Sequence, residues 1–579
     1  MFSKLKPLPR AIVLGALVAG VLGAAYWALN NTPAAKYFQP AAAVPTAVPE
    51  VALNVPSVST PTGSSALGAT AAPAGTQLRV VTIPWNGNSG ALYAQSAGLN
   101  KARGIDVVYT RKDMYDEMIA ELAAFAKDPN QGAHFAIIMG DALPGFVLGA
   151  NKALKPFGTS AAGVAGIGYS RGEDKCIIAD GANPRGSLIA GVPGDGDINI
   201  CLKYAADNKI AVNTDPKVYN PQAMNFTFTG SFTDADQKFI ASAKAGFAGG
   251  ACEDRRNTET GRMQSVCVNG TATWTPGDVA VFNEMKKLGK SIVVLASTKE
   301  YMWQMPTMVV GNREWMAKNQ EVVKAFLAAA LEGGEKVRGD SRALMVAAEM
   351  QTKVNKEQDP SYWAQAFRGF TETGPNGKPV ALGGSTTNGL ADAAFLFGLG
   401  GADDLYKSVY SVYGKLAVQF FPDMVPNLVP YEQAVDKRYV AALLDGATNI
   451  AQAATPTFTG ASTETVAAKS VSIEFESGKA TFTPRAVAVL NDVLDQAAVT
   501  SLSVQINGHT DNVGDPSANL ALSKARAEAV KQFLMTNAPK NFPSERVTTR
   551  GFGDTQPVAD NNTVAGKAQN RRVEILLRR

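Results

Sequence analysis

The chain has 579 residues, of which 46% are hydrophobic and 18% charged, with a net charge of +4. That length exceeds one ordinary domain and calls for two or three, and the composition is that of a folded protein. A small net charge with both signs mixed gives no electrostatic argument for a nucleic-acid partner. Two histidines and four cysteines without a C-x-x-C pair argue against a metal site, and nothing in the sequence implies a cofactor.

Lys4, Lys6 and Arg10 precede an uncharged apolar run, Ala11 to Leu29. About 19 residues rising 1.5 Å each cover ~29 Å, close to the thickness of a bilayer core. Positive charge ahead of the run places residues 1–10 in the cytoplasm. Residues 11–29 therefore read as a transmembrane anchor, with Tyr26 and Trp27 at the far interface. The competing reading is a cleaved signal peptide, which would leave a soluble periplasmic protein. Residues 30–76 are rich in Ala, Pro, Ser and Thr, nearly uncharged and without a period, and read as a linker. As a flexible coil it would span ~35–40 Å, enough for a domain to stand off a membrane.

A folded region opens at Leu78–Ile83. The turn Trp85-Asn86-Gly87-Asn88 leads into a helix ending near Gly104, and Ile105–Tyr109 is the next strand. A helix over 113–126, a buried strand over 135–139 and further strand–helix units at 187–207 and 278–296 follow. A long amphipathic helix is expected over 314–331, with helices dominating to about Ala447. Alternating strands and helices imply a largely parallel sheet. The order of strand–W-N-G-N–helix, "LNKARGIDVVYT", "SLIAGVPGDGD" and "MPTMVVGNREWMAKNQEVVKAFLAAALEGG" resembles the type II periplasmic solute-binding proteins that serve membrane transporters. The resemblance implies two α/β lobes over 77–447 closing on a small solute, with the chain crossing back near Tyr301–Met308. Ligands of such folds sit at strand C-termini and helix N-termini. The solute-site candidates are Trp85, Asn86, Asn88 and Asp141 in lobe one, with Asp195 and Asp197 in lobe two. Two acids in the cleft would disfavour a simple anion. Each candidate also has a plainer reading: Trp85 as packing, the PGDGD loop as a solvated turn.

Cys176, Cys201, Cys252 and Cys267 are an even set, which outside the cytoplasm suggests two disulfides. Three connectivities are possible; nearest-neighbour pairing, Cys176–Cys201 and Cys252–Cys267, is the expectation, against four reduced core thiols. Enzyme motifs do not hold up. Gly168-Tyr169-Ser170-Arg171-Gly172 fits G-x-S-x-G, but the only later histidine, His509, belongs to another domain. Gly289-Lys290-Ser291 lacks the P-loop glycine five residues earlier, where Glu284 stands, and Gly194-x-Gly196 lacks the third glycine of a dinucleotide fingerprint. The expectation is a protein that is not an enzyme.

A second linker is expected over 448–468 and a last domain over 469–579. A strand at Ser503–Asn507 exits through Gly508, Asp511 and Gly514 into a helix capped by Asp515 and Pro516. Leu522, Ala525, Ala529 and Phe533 would form its apolar stripe, with Asn519, Ser523 and Arg526 on a neighbouring polar one. A carboxylate and a guanidinium held apart this way can grip a zwitterion, or can form a plain surface ion pair. His509 is expected to face solvent. The string Gly508, Thr510, Asp511, Gly514, then Asn519, Leu522, Ser523, Arg526, Ala527 resembles the peptidoglycan-binding domain of the outer-membrane protein A family. Flanking pieces match too: a strand at Val471–Phe475, Gly551-Phe552-Gly553 with Pro557, and Asn570-Arg571-Arg572-Val573-Glu574-Ile575. The resemblance implies a small α+β sandwich of β-α-β-α-β order that holds the diaminopimelate of the cell-wall stem peptide. Asp511 would take the ammonium and Arg526 a carboxylate, with Thr510, Asn519, Glu476 and Arg571 around them. Glu476 stands where the family commonly has Asp. The whole reads as a cell-envelope protein, anchored in the inner membrane with its bulk in the periplasm. Its partners would be peptidoglycan, a small solute and a membrane transporter or sensor; the alternative is a purely structural tether.

Overall fold

The computed structural model describes Leu67, residues 71–448, Ala453, Phe458, 465–476 and 478–579. The expected membrane span at 11–29 lies outside the described residues, as does nearly all of the 30–76 linker. Among the described residues no helix is long and apolar enough to cross a membrane.

The middle domain has two six-stranded sheets. In the first, Thr76–Thr82 pairs in parallel with Ile105–Arg111 on one side and Phe135–Met139 on the other. Phe135–Met139 is buried at every residue, as expected for a strand covered on both faces. Pro306–Asn312 then runs antiparallel beside it and beside Ala161–Ser170, with Ser385–Thr387 at the edge. The second sheet runs Ile292–Ser297, Lys175–Ala179, Gly270–Thr273, Leu188–Gly191, Ala223–Phe228, Ala211–Asn213. The chain crosses between the sheets twice, over residues 171–174 and 298–305. The return crossing thus precedes the expected one slightly, because Pro306 already pairs with Tyr169. The antiparallel strands at the crossings are what the parallel-sheet expectation lacked. The helix expected over 314–331 is two: Arg313–Lys318 and Gln320–Gly339, broken at Asn319, whose side chain donates to the Trp315 carbonyl.

Both expected disulfides form, Cys176–Cys201 and Cys252–Cys267. The first ties the buried strand Lys175–Ala179 to the helix Gly196–Asp207. The second staples the hairpin of Cys252–Asn257 and Met263–Cys267 at its open end.

The C-terminal domain starts earlier than the sequence suggested. Thr465–Val471 is a strand antiparallel to Val573–Arg578, so the expected linker over 448–468 ends inside it, and residues after Val471 leave the sheet. The sheet continues with Ser503–Gly508 and Val547–Gly551, and the helices Ala486–Ala498 and Pro516–Asn537 cover it. The second helix buries Asn519, Ser523, Arg526, Ala527, Val530 and Leu534. The apolar stripe expected at Leu522, Ala525, Ala529 and Phe533 is therefore displaced, and the polar stripe faces inward. Two glycines explain this. A Cβ on Gly508 would overlap the Ser523 carbonyl, and one on Gly551 would press on the Lys524 backbone, so their absence lets the helix lie directly on the strand ends. Ser523 then accepts from the Gly553 N–H at 2.9 Å. Arg546, 1% exposed, donates to the carbonyls of Ala497, Thr500, Leu502 and Asn541, and locks helix to sheet without a carboxylate partner.

The two domains touch along the return crossing. Ser501 N–H donates to the Glu300 carbonyl at 3.0 Å, Trp303 N–H to Val499 at 3.3 Å, and Arg579 pairs with Glu300 at 2.9 Å. Asp403 accepts from the backbone N–H groups of Lys540 and Asn541.

Candidate functional site

The strand Ser503–Gly508 delivers Thr510 and Asp511 to the edge of the C-terminal domain, and the capped helix that follows delivers Asn519 and Arg526. Thr510 N–H donates to Gly553 at 2.8 Å, and its hydroxyl is buried without a partner. Asn519 donates to the carbonyls of Asp511 and Val513 at 3.3 and 3.1 Å, which fixes the loop between strand and helix. Asp511 accepts from the Val513 N–H at 3.1 Å with one oxygen and pairs with Arg571 at 2.6 Å through the other. Arg526 is held differently. Its Nε donates to the Lys479 carbonyl at 3.1 Å and its guanidinium lies 4.9 Å from the centre of the Phe475 ring. Among the described residues no carboxylate comes within ion-pair distance of it. Burial, and then the nearby Arg571 cation, push its pKa down, with Asp511 acting the other way. Asp511 is thus the carboxylate of Arg571, while the more buried guanidinium of Arg526 pairs with none among the described residues.

Of the residues named from sequence, Asp511, Arg526, Thr510, Asn519 and Arg571 come together. Glu476 stands in the turn that supplies the Lys479 carbonyl and pairs with Lys479 at 2.7 Å on the exposed surface. Arg572 turns away, to Glu574 at 2.7 Å and the Gln556 carbonyl. His509 does not face solvent: it is 1% exposed, stacks on Phe552 with centroids 5.2 Å apart, and burial lowers its pKa. The strand runs one residue past its expected end, to Gly508, and is buried on both faces from Val504 onward, so His509 is enclosed with it.

The middle-domain candidates divide. Asn88 is committed to the fold: its amide donates to Thr82 at 2.7 Å and accepts from Gln351 at 2.7 Å. Trp85 is fully buried, and its Nε1 finds no acceptor among the described residues. Asn86 donates to Glu173 in the first crossing at 3.1 Å. Asp141, Asp195 and Asp197 gather where the two lobes and the crossings meet, with Asp174, which the sequence reading missed. Asp141 accepts from Gln304 at 2.9 Å and Asn199 at 3.1 Å; Asp195 caps its helix through the Asp197 N–H. Burial raises the pKa of Asp141 and Asp195 to about 7 and of Asp174 to about 6; neighbouring acids add to the first two, while hydrogen bonds from Asp197 and Ser170 and the Lys175 charge hold Asp174 down. Ser170 of the G-x-S-x-G string bonds Thr298 at 2.6 Å, far from any catalytic histidine geometry: His134 packs between Phe125 and Trp315 instead.

Topology and sites together define a two-lobed α/β domain followed by a small α/β sandwich whose buried Arg526 has no carboxylate partner among the described residues. Residues 474–571 match the OmpA family, and the C-terminal part of the chain is an OmpA-family domain. The outer membrane protein A of Bordetella avium is 38% identical over 102 residues, 17% of this chain and 51% of that one. The peptidoglycan-binding protein ArfA of Mycobacterium bovis is 37% identical over 106 residues, 18% of this chain and 32% of that one. The chain spans about half the length of such curated relatives, or less. The periplasmic aliphatic sulphonate binding protein SsuA of Escherichia coli, a solved structure, aligns with 62% of this chain and 92% of its own at 13% identity and a TM-score of 0.39.

Proposed function

We propose that the protein is a cell-envelope component that binds peptidoglycan non-covalently through its C-terminal domain. The observation that carries this reading is Arg526, buried, braced by Phe475 and Lys479, and lacking a carboxylate beside the paired Asp511. A diaminopimelate end is a zwitterion: its carboxylate would join Arg526, and its ammonium would take Asp511 as the exposed Arg571 side chain gives way. The family match over 474–571 and the likeness to the mycobacterial peptidoglycan-binding protein support the same reading. The middle domain is then presented to a small solute, for transport or sensing, between inner membrane and wall. The membrane anchor at 11–29 and the domain limits of 77–447 and 469–579, the latter now beginning at Thr465, belong to this proposal. Pelleting of the full chain with diaminopimelate-type peptidoglycan tests it; retention of both Asp511→Ala and Arg526→Ala on the sacculus at wild-type level would sink it.

A further inference from the structure

The acids where the lobes meet are only partly satisfied by the protein: Asp195 accepts from the Asp197 N–H and lies against the Tyr115 hydroxyl, and the others are less well met. Asp174 is fully buried and Asp197 is 1% exposed. Their carboxylates lie in direct contact, with Asp197, its pKa pushed well up, holding the proton between them and the Ser170 hydroxyl beside Asp174; among the described residues neither meets another well-aligned donor. Asp141 keeps one oxygen bare. Two opposed buried carboxyls that must share one proton are costly, and each oxygen left unpaired adds to that cost.

An independent observation concerns Asn199. It is 3% exposed, and its amide reaches Asp141 through Nδ2 while its Oδ1, at the same end of the side chain, is also an acceptor without a donor. Unmet acceptors at this point thus come from a neutral amide as well as from acids, and the Tyr115 hydroxyl lies beside Asp195 as a donor. Nearby cations are committed elsewhere. Lys175 pairs with Asp278 at 2.6 Å and donates to the Gly172 and Glu173 carbonyls. Lys203 pairs with Asp207 at 2.5 Å, and Arg171 donates to Ser170 and Met302 carbonyls under the Tyr169 and Trp303 rings. Burial pushes all four acids up, and the Lys175 ammonium offsets only part of the rise at Asp174.

The four carboxylates come from different bodies. Asp141 follows a lobe-one strand, Asp174 lies in the first crossing, and Asp195, Asp197 and Asn199 head the lobe-two helix Gly196–Asp207. Gln304, in the return crossing, also holds Asp141. The Cys176–Cys201 bond keeps the helix in register with the strand that follows Asp174. Separation of the lobes would open the cluster, and closure would surround whatever lies in it.

We propose that the cleft of the middle domain takes a small organic ammonium ion bearing N–H groups, held between Asp141, Asp174, Asp195 and Asp197 with Asn199 as a neutral acceptor. The inference rests on the reading of this domain as solute-binding and names the class of solute. A quaternary ammonium carries the charge but not the donors, and an anion carries neither.

The test is calorimetric unfolding of the full chain, read at the middle domain's transition, with 10 mM-scale methylammonium or putrescine set against tetramethylammonium, potassium, methanesulfonate and nitrate at equal ionic strength. The primary amines should raise that transition by roughly 5 °C or more, the other four by no more than ~1 °C. Asp197→Asn should abolish the amine effect while leaving the unliganded transition equal or higher, because it removes one of two opposed carboxylates. If that variant does not fold, Asn199→Ala serves, with a weakened amine effect expected. An equal shift with tetramethylammonium or potassium overturns the N–H requirement. A shift with methanesulfonate or nitrate alone overturns the cation and leaves a solute-binding domain standing. No shift with any of them, and no lobe closure by X-ray scattering, overturns both.

Discussion

Asp141 gives the most quantitative handle on the cleft. Its ordinary pKa of 3.8 is pushed to about 7, chiefly by burial. The Gln304 and Asn199 amides act against that rise, and Asp195 and Asp174 add to it. Tyr413 orients Gln304 through its hydroxyl at 2.9 Å, and Tyr406 donates to the adjoining Gly140 carbonyl at 2.7 Å, so no cation faces the carboxyl from those elements. Between pH 4 and 7 the folded chain holds a proton that the unfolded chain has lost. Stability from this group is therefore fully present below pH ~4 and is lost as pH rises through about 7, a total of ~4 kcal/mol. Between pH 5 and pH 8 the loss is roughly 2.6 kcal/mol. Denaturant unfolding of the full chain at these two pH values, read at the middle domain, measures it. Asp141→Asn keeps an oxygen for Gln304 and Asn199 and removes the titration, so its stability should fall by that much less between the two pH values. A wild-type domain as stable at pH 8 as at pH 5, or a variant with the same pH slope as wild type, would refute the reasoning. The neighbouring Asp174 and Asp195 titrate in the same range and should leave part of the slope in the variant.

Gly508→Ala should prevent the helix Pro516–Asn537 from seating on its strand and unfold the C-terminal domain at 37 °C, seen as loss of its calorimetric transition. Arg546→Met leaves four backbone carbonyls short of a donor and should cost about 3 kcal/mol or more in urea titration of the same domain. Reduction of Cys252–Cys267, which closes a 15-residue separation, should lower the middle domain's stability by ~3 kcal/mol, read by thermal unfolding with and without dithiothreitol.

Much of this was legible in the chain because it depends on local spacing. The cysteine pairs follow nearest neighbours, and the run from Gly508 to Ala527 places Asp511 and Arg526 on a strand exit and a helix that only one geometry joins. What escaped depends on packing between distant segments. The inward turn of Ser523 and Arg526 needs the glycines of two other strands, Gly508 and Gly551, and periodicity on the helix alone selects the wrong stripe. Asp174 was invisible because its role arises only when the first crossing meets the helix head at Asp197. Its one signal was the run Arg171-Gly172-Glu173-Asp174-Lys175, four charges in five residues directly after the wholly buried strand Ala161–Ser170. The return strand Pro306–Asn312 is antiparallel for a topological reason, re-entry from the second lobe, that no local pattern encodes.

The central claim is that Asp511 and Arg526 grip a zwitterionic wall fragment. The most direct measurement is co-sedimentation of the full chain with diaminopimelate-type sacculi, in wild type, Asp511→Ala and Arg526→Ala, with free diaminopimelate as competitor. The expected result is that wild type pellets and is released by millimolar-scale diaminopimelate, while each variant stays in the supernatant with an unchanged C-terminal unfolding transition. Wild-type pelleting by both variants, or pelleting that diaminopimelate does not reverse, would contradict it.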